Sequence, residues 1–279
     1  MSHIFDALQR SVIEQTGVEH PDMVSVAAQV FEGATPKEGP VASVDFPSIE
    51  VAVPASSRLV FLSDPQSLAA EKFRFLGVRM RQLRQSRPLK TVLVTSTIAE
   101  EGKSVVSANL AGVLARRKKH RVLLIEGDLR RPVMAERFGL GRLDGLSEWL
   151  QQDATEGGNI YRLEGADFWL MPAGRPPGNT LELLQSRKLS ALMHQLPQWF
   201  DWIIIDSPPL LPLADTSVWA RFTDGALLVV REGKTEKEPL KRGLEILKKS
   251  DLLGVVFNGS SDGNHHNYYR RYAAREVQL

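Results

Sequence analysis

The 279-residue chain contains no cysteine, which excludes disulfide bonds, thiolate metal sites and a cysteine nucleophile. That absence suits a cytoplasmic protein. Long hydrophobic runs are missing too. The most apolar stretch, 202–213, is interrupted by Asp206 and three prolines, well short of the roughly 18–20 apolar residues that cross a bilayer. The opening residues, MSHIFDALQRS, show no basic flank followed by an apolar core, so no signal peptide is expected. Charge of one sign is scarce as well: the net charge is +2, too small to point to nucleic acid as a partner. What remains is 43% hydrophobic and 24% charged residues, the proportions of an ordinary globular protein, in a chain long enough for one large α/β domain with extra segments.

The pattern along the chain is uneven. In residues 3–15, Ile4, Phe5, Leu8 and Val12 fall on one face at helical spacing, predicting a short amphipathic helix. Residues 17–58 scatter prolines and glycines, Pro21, Gly33, Pro36, Gly39, Pro40, Pro47 and Pro54 among them, through small polar residues and valines, and read as a mostly irregular linker. A helix is expected from Asp64-Pro65 to about 84. Short apolar runs at 91–95, 121–126, 168–171, 202–206, 226–230 and 254–257 then alternate with helical patterns near 104–117, 131–138, 180–196, 214–221 and 236–250. Continuous apolar strands alternating with helices predict a mostly parallel sheet covered on both faces, a three-layer α/β fold. The polar tail, 260–279, is predicted to be mobile. The expected divisions are an N-terminal helix and linker (1–60), a principal α/β domain (61–260) and a tail (261–279).

Between the first strand and its helix lies Thr95-Ser96-Thr97-Ile98-Ala99-Glu100-Glu101-Gly102-Lys103-Ser104. It ends as a P-loop ends. Glycine lets the backbone turn its amides onto a phosphate, and the helix N-terminus adds partial positive charge. Lysine reaches the outer phosphates, and the serine hydroxyl can ligate Mg²⁺. The full pattern has glycine at position 97, where this chain has Thr97.

Two further apolar runs deliver carboxylates. Trp202-Ile203-Ile204-Ile205-Asp206-Ser207-Pro208-Pro209 brings Asp206 to a strand tip, where ligands of open α/β sheets collect. It could hold a Mg²⁺ water there or merely cap the turn before the prolines. Val122-Leu123-Leu124-Ile125-Glu126-Gly127-Asp128-Leu129-Arg130 brings Glu126 and Asp128, two residues apart. Strand alternation would point both the same way, for metal binding or removal of a hydroxyl proton; a solvated turn is the plainer alternative. Near the end, Asn267-Tyr268-Tyr269-Arg270-Arg271-Tyr272 gathers three of the chain's four tyrosines, either as a strip that docks on a sheet edge or partner, or as modifiable hydroxyls. The interleaved arginines carry only weak support for nucleic acid. His265-His266 have no third ligand nearby and read as solvated.

Together these segments resemble the cytoplasmic catalytic domain of bacterial tyrosine kinases, the P-loop autokinases of capsular and exopolysaccharide synthesis. Thr95–Ser104 looks like their Walker A loop, 126–130 their second carboxylate motif (Walker A′), and 206–208 their Walker B strand end. The segments from Gly174 through Asn179 into Leu181-Glu182-Leu183-Leu184-Gln185-Ser186, Glu71-Lys72-Phe73-Arg74, and Leu253-Gly254-Val255-Val256-Phe257-Asn258 are similar to further family segments, the second to an oligomerisation helix. The resemblance covers about residues 65–272. It implies an ATP- and Mg²⁺-dependent tyrosine autokinase. Nucleotide contacts are then expected at Thr97, Glu101, Gly102, Lys103, Ser104, Val105 and Asn258, the last facing adenine. Catalytic roles fall to Lys103, Glu126, Asp128 and Asp206, and metal contacts to Ser104, Asp128 and Asp206. Tyr268, Tyr269 and Tyr272 would be phosphoacceptors. The chain departs from the family at Glu126 (usually Asp), at Ala99-Glu100 (usually Pro-Gly) and at Gly77 (usually Arg). A homo-oligomer is expected, recruited to the inner face of a membrane by a separate membrane-anchored activator, since no transmembrane activator is fused here. Two rivals share the fold: a partitioning-type switch ATPase, and a degenerate ATP-binding assembly subunit. The former usually carries an extra lysine early in the loop, and residues 95–101 contain none.

Overall fold

The computed structural model describes residues 46–116, 120–152, 159–211, 214–247 and 252–259. The expected N-terminal helix and the tail with Tyr268, Tyr269 and Tyr272 lie outside the described residues. Among the described ones, eight strands form one sheet: β1 (Ser48–Glu50), β2 (Thr91–Ser96), β3 (Val122–Glu126), β4 (Tyr161–Glu164), β5 (Phe168–Met171), β6 (Trp202–Asp206), β7 (Gly225–Arg231) and β8 (Leu252–Asn258). Their order is β1-β4-β5-β3-β6-β2-β7-β8. Every pairing is parallel except β4 with β5.

The strand interiors alternate between two cores. Leu93, Leu123, Ile125, Ile203, Ile205 and Leu228 face one side, while Val92, Val94, Val122, Leu124, Ile204 and Val229 face the other. Both sets are apolar because both faces are covered, as in other parallel sheets. On the first face pack α5 (Leu146–Gln151), α6 (Thr180–Leu184), α7 (Arg187–Trp199), α8 (Asp215–Ala220) and α9 (Lys237–Leu247). On the second pack α1 (Val60–Ser63), α2 (Leu68–Ser86), α3 (Lys103–Ala115) and α4 (Met134–Arg137). The three-layer α/β expectation therefore holds.

α3 is buried almost all round, from Val106 to Ala115, sandwiched between the sheet and α1–α2. The crowding is tight enough to require small residues. A Cβ on Gly112 would lie 2.3 Å from the Phe61 ring, and one on Gly77 3.1 Å from Val113 Cγ2. Gly77, where the resemblance leads one to expect arginine, is thus a point of close approach between α2 and α3.

Several boundaries differ from expectation. α2 begins at Leu68 because the Ser67 hydroxyl accepts the Ala70 N–H at 3.2 Å, a serine cap. The single helix expected at 180–196 is two, because Ser186 caps a new start by accepting from Leu189 N. The helix expected from 131 is only the short α4, since side-chain capture of the Val133 and Met134 amides occupies its first turn. The linker expectation is corrected for residues 46–58. Phe46 enters the core against Trp199 and Phe200, and β1 adds in register to β4. Three residues flanked by prolines give little periodicity to read.

Candidate active site

The C-terminal tips of β2, β3 and β6 lie side by side, with Val94 opposite Asp206 and Asp206 opposite Glu126. The phosphate-type loop leaves β2 and enters α3 through Gly102. That residue has φ +95, and a Cβ there would lie 2.0 Å from Asn258 Nδ2, so glycine is required both by conformation and by space. Glu101, fully buried, closes the loop from within. Its Oε2 accepts the Ile98 N–H at 2.8 Å, its Oε1 accepts from the Thr235 hydroxyl, and its carbonyl accepts from Asn258 Nδ2 at 2.9 Å. The Thr97 hydroxyl is buried without a partner and lies against Gly243 of α9. Val105 lies in the first turn of α3, its carbonyl accepting from Asn109 Nδ2.

Lys103 Nζ donates to Asp128 Oδ2 at 3.0 Å and lies 3.5 Å from Ser104 Oγ. Burial works to lower the lysine pKa, but Asp206 and then Asp128 outweigh it and hold it raised, so the ammonium stays charged. Asp206 is fully buried. Its Oδ1 accepts from Ser107 Oγ at 3.1 Å, while Oδ2 has no partner among the described residues. Burial raises the Asp206 pKa despite Lys103 and Ser104. A buried carboxylate oxygen with no partner is expensive unless something else satisfies it. The oxygen chemistry of Asp206, Ser104 and Asp128 fits Mg²⁺, which takes one or two carboxylates and completes its shell with water and phosphate. No group of three or more His, Asp or Glu side chains placed for a metal occurs among the described residues.

Glu126 and Asp128 do not turn to one ligand, contrary to the strand-alternation expectation. β3 ends at Glu126, and the next residue leaves the ladder as Gly127 N donates to Asp206 O, so the two-residue period stops there. Asp128 faces Lys103 and also accepts the Arg131 N–H. Glu126 faces the neighbouring loops instead. Its Oε1 accepts from Val133 N and from Met134 N (2.7 Å for the latter), and its Oε2 from Ala173 N at 2.9 Å. Burial pushes its pKa up to about 7, against the pull of those three amides. With its lone pairs engaged, Glu126 joins the loops after β3 and β5 and borders a cavity of about 260 Å³ lined also by Pro132, Val133, Pro172 and Arg175.

Residues not singled out from sequence complete the site. Ser107 sits one helical turn beyond Lys103, a spacing that could have revealed it. Arg130 grips Asp215 with Nε and Nη2 at 2.7 and 3.2 Å, and Trp219 Nε1 donates to Gly127 O. α8 thereby holds residues on both sides of Asp128, Gly127 by its backbone and Arg130 by its side chain; only the fold brings those positions together.

The profile of the CobQ/CobB/MinD/ParA nucleotide binding domain matches residues 92–278. The chain is 34% identical over 212 residues to "Tyrosine-protein kinase YwqD" of Bacillus subtilis (strain 168), covering 75% of this chain and 89% of the relative. It is 30% identical over 195 residues to "Tyrosine-protein kinase CpsD" of Streptococcus agalactiae, covering 67% and 85%. The solved kinase domain of the Escherichia coli tyrosine kinase ETK superposes with a TM-score of 0.65 at 26% identity, covering 74% of this chain and 82% of that one.

Proposed function

The chain belongs to the bacterial tyrosine-protein kinases within the CobQ/CobB/MinD/ParA nucleotide-binding family, and on that premise we propose that it transfers the γ-phosphoryl group of ATP to tyrosine hydroxyls, those of Tyr268, Tyr269 and Tyr272 in its own tail among them. The observation that carries this reading is the convergence of Lys103, Asp128 and the unpartnered Asp206 oxygen at adjacent strand tips. The loop amides from Thr97 to Val105 and the Lys103 ammonium bind the phosphates. Asn258, at the end of β8, lines the base side.

Ser104 and Asp206, with Asp128 nearby, would hold Mg²⁺, which when bound neutralises charge on the phosphates. When Lys103 turns from Asp128 to a phosphate, Asp128 is left as the carboxylate placed to accept the tyrosine proton. The phenolic oxygen then forms its bond to phosphorus as the bond to the ADP oxygen breaks, and Lys103 balances the negative charge that builds on the departing ADP. Glu126 serves this chemistry by fixing the loop that carries Asp128.

The name of a further relative, "Succinoglycan biosynthesis transport protein ExoP" of Rhizobium meliloti (strain 1021), 31% identical over 227 residues, suggests exopolysaccharide synthesis as the setting. Among the described residues no helix is long and apolar enough to cross a membrane; recruitment by a separate membrane-anchored activator is part of this reading. The half-exposed Phe75 on α2, beside the Glu71–Arg74 ion pair, suits assembly into a homo-oligomer.

The test is to incubate the protein with Mg-ATP, with and without an activator segment, and to map phosphate by mass spectrometry beside Lys103→Ala. Lys103-dependent phosphate on the tail tyrosines is expected. Hydrolysed ATP with unmodified tyrosines in the presence of a working activator would replace this reading with a switch ATPase, and binding without turnover would replace it with an assembly subunit.

A further inference from the structure

The phosphate loop passes through Glu100 with φ +65, a backbone region that disfavours any residue with a Cβ and suits glycine. The side chain found at this strained position is not idle. Glu100 Oε2 pairs with Lys234 Nζ at 2.6 Å, and the Glu100 carbonyl accepts from Arg231 Nη1 at 3.2 Å. The next residue, Glu101, accepts from the Thr235 hydroxyl, which itself accepts the Arg231 N–H at 3.0 Å.

Residues 231–235 form a tight turn at the end of β7. Lys234 N and Thr235 N both donate to Arg231 O, and Glu232 N donates to Asn258 O. The turn is therefore fastened to the phosphate loop through Glu100 and Glu101, and to the end of β8 through Asn258. The Glu100–Lys234 pair is largely exposed, at 78% for Glu100. An exposed pair contributes little to global stability, so stability alone does not account for keeping a strained residue here. Strain retained beside a ligand site points to a role in that site.

We propose that Glu100 is a positioning residue that straps the 231–235 turn to the phosphate loop and thereby sets how long a bound nucleotide is retained. Thr235 and Asn258 both reach Glu101, so the turn and the end of β8 wall one side of the loop, and the Glu100 pair keeps that wall closed. The proposal rests on the reading that the loop from Thr97 to Val105 holds the nucleotide phosphates.

The experiment uses the full chain loaded with Mg²⁺ and the fluorescent nucleotide mant-ADP. Release is followed by stopped flow after a chase of unlabelled ADP, at low salt and in high salt. Glu100→Lys and Lys234→Glu are each expected to speed release about threefold at low salt, the scale a surface ion pair supports. The exchanged double variant should return to within about twofold of the parent, and the differences should shrink in high salt, where such a pair is screened. Glu100→Gly should also speed release while raising the unfolding temperature of the nucleotide-free protein, because it relieves the backbone. Unchanged release in both single variants, or fast release that the double variant does not restore, would overturn the strap. Lys103→Ala separates this from the underlying site: if it binds mant-ADP as tightly as the parent, the phosphate-loop reading itself fails, and the strap with it.

Discussion

Removing the Glu126 carboxylate strands three backbone donors. In Glu126→Ala, the amides of Val133, Met134 and Ala173 lose their acceptor, and at about 1–3 kcal/mol for each buried unsatisfied group the loss reaches about 3–9 kcal/mol, a large share of a typical domain's stability. Glu126→Gln keeps one acceptor oxygen for two amides but turns its NH₂ toward the third, a loss of about 1–3 kcal/mol. The two variants also separate by pH. The folded pKa of about 7 lies above the ordinary glutamate value near 4.3, so between those values the folded state holds a proton that the unfolded state has released. Stability must then fall as pH rises through that window, by on the order of 3 kcal/mol from this group. Urea unfolding at pH 5 and pH 8 measures it. The parent should lose stability between the two, whereas Glu126→Gln should lose less. Equal midpoints for Glu126→Ala and the parent at pH 5, or a Gln variant whose pH dependence matches the parent's, would refute the account.

Gly102→Ala should abolish nucleotide binding in an equilibrium titration, since its Cβ meets Asn258 at 2.0 Å in a left-handed backbone; ordinary affinity would show that Asn258 yields. Gly112→Ala should destabilise by about 1–3 kcal/mol in urea through collision with the Phe61 ring, and pairing it with Phe61→Leu should recover part of the loss. Asp206→Asn should lower phosphoryl transfer by at least about tenfold while leaving the fold intact by circular dichroism; undiminished transfer would remove Asp206 from the site.

The parallel sheet was readable because its central strands carry unbroken apolar runs, Val92-Leu93-Val94, Val122-Leu123-Leu124-Ile125 and Trp202-Ile203-Ile204-Ile205, two of which end at a chemically distinctive residue, Glu126 or Asp206. The elements that escaped notice are those whose signal is not periodic. β1 is three residues long, and β4 carries polar residues at an outer position of the sheet, with Arg162 and Glu164 exposed. Lys103, Ser104, Asp128 and Asp206 could be named because a loop between strand and helix forces them to one edge. The partners Asp215, Trp219 and Lys234 lie 85, 92 and 134 residues from Arg130, Gly127 and Glu100 respectively, and only the crossovers bring them there. Glu126 and Asp128 part for a local reason: the strand stops at Glu126, so its alternation does not carry on to Asp128.

The burial of α3 on all sides has a consequence for the thermodynamics of binding. A helix clamped between the sheet and a second helical layer has little positional freedom left to lose, so its N-terminal amides are already ordered before a phosphate arrives. The entropy of association is then drawn from the exposed turn at 231–235 rather than from the phosphate loop. Differences in nucleotide retention among chains of this architecture should accordingly concentrate in that turn, while the cradle itself changes little.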